Sequence, residues 1–192
     1  MKIYTRKGDD GSTGLLFGGR VAKDSAAIEA NGAVDEAQAA LGVARAEVER
    51  GSELDGLLVG LERDLYILMA EVATAARNRD KLVPGTSLVT NEMVDRIEGL
   101  IDDLTGRFPP ITEFVIPGQD RVAASLDVAR TAVRRAERRA LHAIPEASQV
   151  GPYLNRLSDL LWLLGRLLET RRGIDSKLRP AGQGGPRWSR AW

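Results

Sequence analysis

The sequence predicts an all-α protein, a five-helix bundle preceded by a glycine-rich N-terminal loop. Three observations point to it: apolar residues recurring at three- and four-residue steps over five segments, Pro and Gly at the breaks between them, and little strand propensity anywhere. With 192 residues and 43% hydrophobic content the chain is long enough for one compact domain and short for two. We expect a loop segment over 1–23, a helical domain over 24–172, and a flexible tail over 173–192.

The opening segment holds Gly8, Gly11, Gly14, Gly18 and Gly19 with Ser12, Thr13, Asp9 and Asp10, which is loop chemistry rather than a regular period. Asp24 or Ser25 can cap the first helix, running to about Arg50, whose small residues Ala30, Ala33, Ala37, Ala40 and Ala44 favour close packing; Gly32 and Gly42 within it hint at contact. The second runs from Glu53 to about Ala76 on a leucine face of Leu54, Leu57, Leu58, Leu61, Leu65 and Leu68. A polar break over 77–90 with Pro84 and Gly85 precedes the third, Asn91 to Leu104, which Gly106 stops. Pro109, Pro110 and Pro117 then make 108–118 an extended connection whose Ile111, Phe114, Val115 and Ile116 need cover. The fourth helix, about 119–143, and the fifth, about 148–172, are separated by Pro145. The Gly-, Pro- and Arg-rich remainder with Trp188 and Trp192 carries no motif.

Composition removes whole classes of chemistry. There is no Cys and a single His, so disulfides, thiolate metal sites and a Cys nucleophile are excluded and a Ser-His-Asp arrangement is improbable. His142 fits a helix C-terminus, and no Glu-x-x-His occurs, which rejects a ferritin-like di-metal site. The N-terminus has no apolar h-region and no stretch approaches a membrane span, so we expect a cytoplasmic protein without membrane contact. Zero net charge and few aromatics argue against nucleic acid.

That neutrality hides a segregation. Residues 26–76 carry ten acids against three arginines, whereas 121–139 carry six arginines against Asp127 and Glu137. Arg130, Arg134, Glu137 and Arg138 fall on one helical stripe, where like charges four apart repel unless an anion lies between them. Glu137 can hold Arg134 in place for phosphate recognition by its planar fork. Equally, Arg130 and Arg134 can pair with acids of the first two helices. The loop 7–14 has glycines, hydroxyls and Lys7 to cradle an anion, although it is no Walker motif. On the fifth helix Asn155 and Asp159 share a face with Arg156 beside them, inside the apolar run 157–168, so they must be partnered or bind a ligand.

Taken in order, Tyr4-Thr5-Arg6-Lys7-Gly8-Asp9-Asp10-Gly11, Lys23-Asp24, Gly32-Ala33-Val34-Asp35-Glu36, Phe114-Val115-Ile116-Pro117-Gly118, Arg130 to Arg139 and Asn155-Arg156-Leu157-Ser158-Asp159 resemble the PduO-type ATP:cob(I)alamin adenosyltransferases. The match spans about Lys2 to Arg171. The resemblance implies a ferritin-like, cobalamin adenosyltransferase-like five-helix fold, a homotrimer with sites between subunits, and transfer of the 5′-deoxyadenosyl group of ATP to cob(I)alamin with release of triphosphate. It further implies that Thr5, Arg6, Lys7, Gly8, Gly11, Thr13 and Lys23 wrap the ATP phosphates. Arg130, Arg134, Glu137 and Asn155 would complete the nucleotide site, with Mg²⁺ on the phosphates. Asp35 would pair with Arg130 across the subunit interface. Phe114 would sit beside the corrin and Arg134 would stabilise the leaving triphosphate, these two being the catalytic residues. A cobalamin-dependent client enzyme is a possible recipient of the product. Cob(I)alamin is itself a strong nucleophile, which suits a chain without Cys. The competing readings are a non-catalytic ATP-binding helical scaffold or sensor and a structural oligomer held by ion pairs.

Overall fold

A computed structural model describes residues 3–107 and 114–178. Residues 108–113 of the expected extended connection over 108–118, and the tail beyond Leu178, lie outside the described residues. Five helices form the body: α1 (Ala26–Ala46), α2 (Glu53–Val72), α3 (Asn91–Thr105), α4 (Arg121–Ala140) and α5 (Val150–Arg171). A short 3-10 helix, Ala76–Lys81, sits within the polar break, and α2 ends earlier than its apolar pattern suggested.

Ser52 caps α2 by accepting from the Asp55 amide at 3.2 Å, and Asp120 caps α4 through the Ala123 amide at 2.9 Å. Ser25, not Asp24, occupies the cap position of α1, and its side chain makes no capping bond. The buried face of α1 is Ala30, Ala33, Val34, Ala37, Leu41 and Ala44. Opposite lie Ala129, Ala132, Val133, Ala136 and Ala140 of α4. Small side chains on both sides let α4 lie close between α1 and α5. Gly42 has the Glu62 carboxylate 3.6 Å from where a Cβ would stand, whereas Gly32 faces open space in the protomer, against the expectation of a contact there. Leu154, Leu157, Leu160 and Leu161 of α5 are fully buried with Leu58, Leu65 and Leu68 of α2. Burying one such side chain contributes roughly 1.5–3 kcal/mol.

Two carboxylates tie the bundle across its layers. Glu71 is fully buried; it accepts from Arg79 at 2.6 Å, from the Val89 amide at 2.7 Å and from Ser148 at 2.6 Å. Asp64 accepts from Tyr153 at 2.6 Å and from Arg96. Burial, with the Asp64 charge beside it, pushes the Tyr153 phenol far above its ordinary value.

The opening segment departs from a plain loop. Ser12–Gly14 and Arg20–Ala22 form an antiparallel hairpin, β1 and β2, in which Thr13 faces Val21 and Gly14 faces Arg20. Strands of three residues between glycines are too short to show a period. The hairpin is fastened to the end of α2 by the Leu16 amide on the Ala73 carbonyl at 2.9 Å, and by Asn78, which donates to the Phe17 and Gly18 carbonyls at 3.3 and 3.4 Å. The first residues of the expected tail are also placed. Val115 pairs antiparallel with Lys177, the Ile116 amide donates to the Ser176 carbonyl at 2.7 Å, and the Leu178 amide donates to the Phe114 carbonyl at 2.8 Å.

Candidate functional site

The hairpin segment is organised by a residue the sequence reading passed over. Arg20 donates to the Ser12 hydroxyl at 2.9 Å, to the Ser12 carbonyl at 3.2 Å and to the Lys7 carbonyl, and pairs with Asp10 at 3.5 Å. Asp10 also accepts from the Ser12 amide at 2.9 Å and the Ser12 hydroxyl at 2.8 Å, and these bonds hold its carboxyl below the ordinary value. The Asp10 charge is thereby engaged within the segment, while Asp9 and Asp24 make no ion pair among the described residues. Lys7 and Lys23 have no carboxylate partner among the described residues.

Geometry makes this an exposed backbone cradle. The Lys23 amide donates to the Gly11 carbonyl at 2.9 Å, and Gly11 sits at φ +79°, open only to glycine at low cost. A Cβ at Gly8 would lie 3.2 Å from the Lys23 ammonium and 3.2 Å from the Ser12 carbonyl, so a side chain there would displace the ammonium. Thr5 accepts from the Lys7 amide at 3.4 Å. Arg6 adopts φ +61° with its guanidinium 5.5 Å from the Tyr4 ring centroid. Lys7, Gly8, Gly11, Thr13 and Lys23 are therefore gathered at the α1 N-terminus.

Helix α4 sorts its arginines onto two stripes. Arg135 pairs with Glu36, and Arg139 with Glu29 at 3.4 Å, which accounts for much of the attraction between the acidic α1 and the basic α4. Arg134 instead is exposed and makes no ion pair among the described residues; Arg138 donates to its backbone carbonyl at 2.9 Å. The pairing of Arg134 with acids of the first two helices is thus overturned. Arg130 pairs with Asp127 of its own helix at 3.2 Å, not with α1 or α2. Asp35 is exposed and has no partner among the described residues, so its expected bond to Arg130 does not form within one chain.

Beside Arg134, Glu137 accepts from the Asn155 amide group at 3.0 Å; Asn155 accepts from Arg156 at 2.7 Å, and Arg156 donates to Glu98 at 2.7 Å. The expected Glu137–Asn155 grouping is present and fixed. Burial raises the Asp159 carboxyl against the opposing pull of Arg156 and Arg134, so a third polar group of α5 faces the same neighbourhood. Phe114 stands apart, 40% exposed near the start of α4, whereas the hairpin lies near the end of α4. A single protomer therefore does not bring Phe114 to the glycine cradle. A cavity of about 430 Å³ between α2, α3 and α5, lined by Leu54, Leu57, Leu100, Leu104, Leu164 and Leu167, touches none of these residues.

Lys7, Lys23 and Arg134 are cations in no ion pair among the described residues, whereas Arg130 is engaged by Asp127 and Arg138 by the Arg134 carbonyl. Such a surface defines a helical bundle that recognises a polyphosphate. The chain belongs to the cobalamin adenosyltransferase family, whose model matches residues 3–168. It is 42% identical to the corrinoid adenosyltransferase of Mycobacterium tuberculosis over 171 residues, covering 86% of this chain and 88% of the relative. It is 35% identical to that of Bacillus subtilis, with 91% and 90% covered. Among solved structures, a phenylalanine-to-histidine variant of a PduO-type ATP:corrinoid adenosyltransferase from Lactobacillus reuteri, complexed with cobalamin and ATP, superposes with TM-score 0.81 at 27% identity, covering 94% of this chain and 97% of that one. An arginine-to-lysine variant from the same organism, complexed with ATP, superposes with TM-score 0.79 at 26% identity, covering 93% and 100%. No helix of the described residues is long and apolar enough to cross a membrane.

Proposed function

We propose that this chain transfers the 5′-deoxyadenosyl group of ATP to the cobalt of cob(I)alamin, making adenosylcobalamin and triphosphate. The cobalt electron pair forms the bond to C5′, and the C5′–oxygen bond breaks with its pair leaving on triphosphate. The nucleophile comes with the substrate, so the protein's task is alignment and stabilisation of the departing charge. The observation that carries this reading is Arg134, a guanidinium exposed and in no ion pair among the described residues, beside a Glu137–Asn155 pair already fixed in place.

Lys7, Lys23 and the backbone around Gly8 and Gly11 hold the phosphates, with Thr5, Arg6 and Thr13 flanking them. Arg130 and Arg134 face the same polyphosphate from α4, and Asn155 completes the nucleotide contact. These groups are cations, hydroxyls and amide donors, all of which suit phosphate oxygens. Among the described residues no group of three or more His, Cys, Asp or Glu side chains gathers to hold a metal, so Mg²⁺ would be carried chiefly by the phosphates themselves. Bound there, it would neutralise part of the leaving charge.

The chain works as a homotrimer in which the cradle of one protomer meets the α4 stripe of the next, with Asp35 reaching Arg130 across that junction. Asp35, exposed and without a partner among the described residues, and the separation of Phe114 from the cradle support this arrangement. Phe114 covers the lower face of the corrin and keeps its axial ligand off cobalt. In the two Lactobacillus reuteri structures the altered phenylalanine and arginine lie 20 residues apart, the same spacing as Phe114 and Arg134 here. The test is anaerobic incubation with ATP, Mg²⁺ and chemically reduced cobalamin. A light-sensitive cobalt–carbon product with one triphosphate per turnover is expected; ATP bound without triphosphate release would identify a scaffold instead.

A further inference from the structure

Three charged residues buried between α4 and α5 belong to neither substrate contact. Asp127, Arg166 and Glu169 are 7%, 2% and 1% exposed. The Asp127 carboxylate is shared: one oxygen takes Arg130 Nε at 3.2 Å and the other takes Arg166 Nη2 at 3.0 Å. Arg166 continues to Glu169 through Nη2 at 3.0 Å and lies with Nε 2.8 Å from the second Glu169 oxygen. That second oxygen also accepts from the Ser176 hydroxyl at 2.6 Å. Ser176 is the residue whose carbonyl holds Ile116, next to the Phe114–Leu178 bond.

The path from Arg130 to the segment that carries Phe114 is thus continuous, and its charge is balanced only when Arg130 is included. Two acids face Arg166 alone if the Arg130 guanidinium turns toward a phosphate. The remaining Asp127–Arg166–Glu169 group then carries one net negative charge in a buried place, which costs free energy unless the contacts around it tighten. Surface ion pairs would not transmit such a change, because water screens them.

Resting on the proposed function, we infer that Arg166 and Glu169 are positioning residues that couple the seating of the Phe114 segment to the orientation of Arg130, so that the corrin side and the nucleotide side of the reaction are linked through one buried ion chain. Ser176 is the outer link and the gentlest place to cut it. The Ser176→Ala variant removes a hydroxyl and leaves both buried charges paired, so the bundle stays folded; Glu169→Gln is the second probe, since an amide can still accept from Ser176.

ATP affinity is measured on the full chain without corrinoid, together with hydrogen exchange over 174–178. Ser176→Ala is expected to speed exchange in that segment and to raise the ATP Kd at least threefold, although Ser176 lies beyond Asp127 and Arg166 from Arg130. Ser176→Thr, which restores a hydroxyl, recovers both. In a double-mutant cycle Asp127→Asn with Ser176→Ala is expected to be non-additive for ATP binding, as links of one chain must be. Faster exchange with an unchanged ATP Kd, or additive effects, would overturn the coupling and leave the pair a purely structural bolt. Failure of the wild-type chain to bind ATP would reject the proposed function instead, so the two failures are separable.

Discussion

Replacing Arg134 with Ala removes a group that the protomer does not use for its own stability. The side chain is exposed and has no ion partner among the described residues, so the unfolding midpoint should move by no more than the small amount typical of surface substitutions, within about 0.5 kcal/mol. On the proposed reading the same guanidinium would face charge that grows on triphosphate as the C5′–oxygen bond lengthens. Loss of one preorganised donor to such charge costs on the order of 3 kcal/mol, or about a hundredfold in rate. Arg134→Lys keeps the charge and loses the planar fork, so it should fall between wild type and Ala. Arg135→Ala is the matched control, since Arg135 is tied to Glu36 on the other stripe. The assay is anaerobic turnover followed by the spectral change of cobalamin and by triphosphate release. An Arg134→Ala rate within threefold of wild type, in a folded sample, would refute the leaving-group role.

Other expectations follow from the same geometry. Phe114→Ala should slow turnover far more than it raises the ATP Kd, which steady-state kinetics and ATP titration separate. Glu71→Ala strands Arg79, Ser148 and the Val89 amide at once, and removing one partner of a buried ionic group costs about 3–5 kcal/mol, measurable by denaturant unfolding. The Asp55 carboxyl is held below its ordinary value by the Gly51 amide and then by Arg45, so its stabilisation is present above the unfolded-state pKa and is lost as pH falls through the lower folded value. Unfolding followed from neutral pH into the acid range should therefore show a shallower acid loss in Asp55→Asn than in wild type.

The five helices were legible because their buried faces follow the helical period without interruption, as in Leu58, Leu61, Leu65 and Leu68. The hairpin was not, because its register is set by Arg20 reaching back to Ser12 and Lys7, a contact between residues that no local period relates. Spacing assigned Glu137 to Arg134 and set Asn155 on a face with Asp159, and only the resemblance grouped Glu137 with Asn155; the structure bonds those two across helices that no spacing relates. Nor was the split of the α4 arginines legible: Arg134 and Arg135 are neighbours in sequence, and only the packing of α1 decides which one meets Glu36. Arg166 was overlooked inside a leucine run, where a lone charge is the signal for a buried partner. The bond expected between Asp35 and Arg130 was proposed to cross between subunits, and the contacts of one protomer place its two ends without joining them.

A polyphosphate site shared between the cradle of one protomer and the α4 stripe of its neighbour, as proposed, is tested most directly by subunit mixing. Lys7→Ala disables the cradle and Arg134→Ala disables the stripe, each leaving the other half intact. Equal mixing into hybrid trimers should restore about a quarter of wild-type turnover, because about one junction in four then joins an intact cradle to an intact stripe. No recovery in a sample shown to contain hybrid trimers would place both halves in the same protomer and contradict the account.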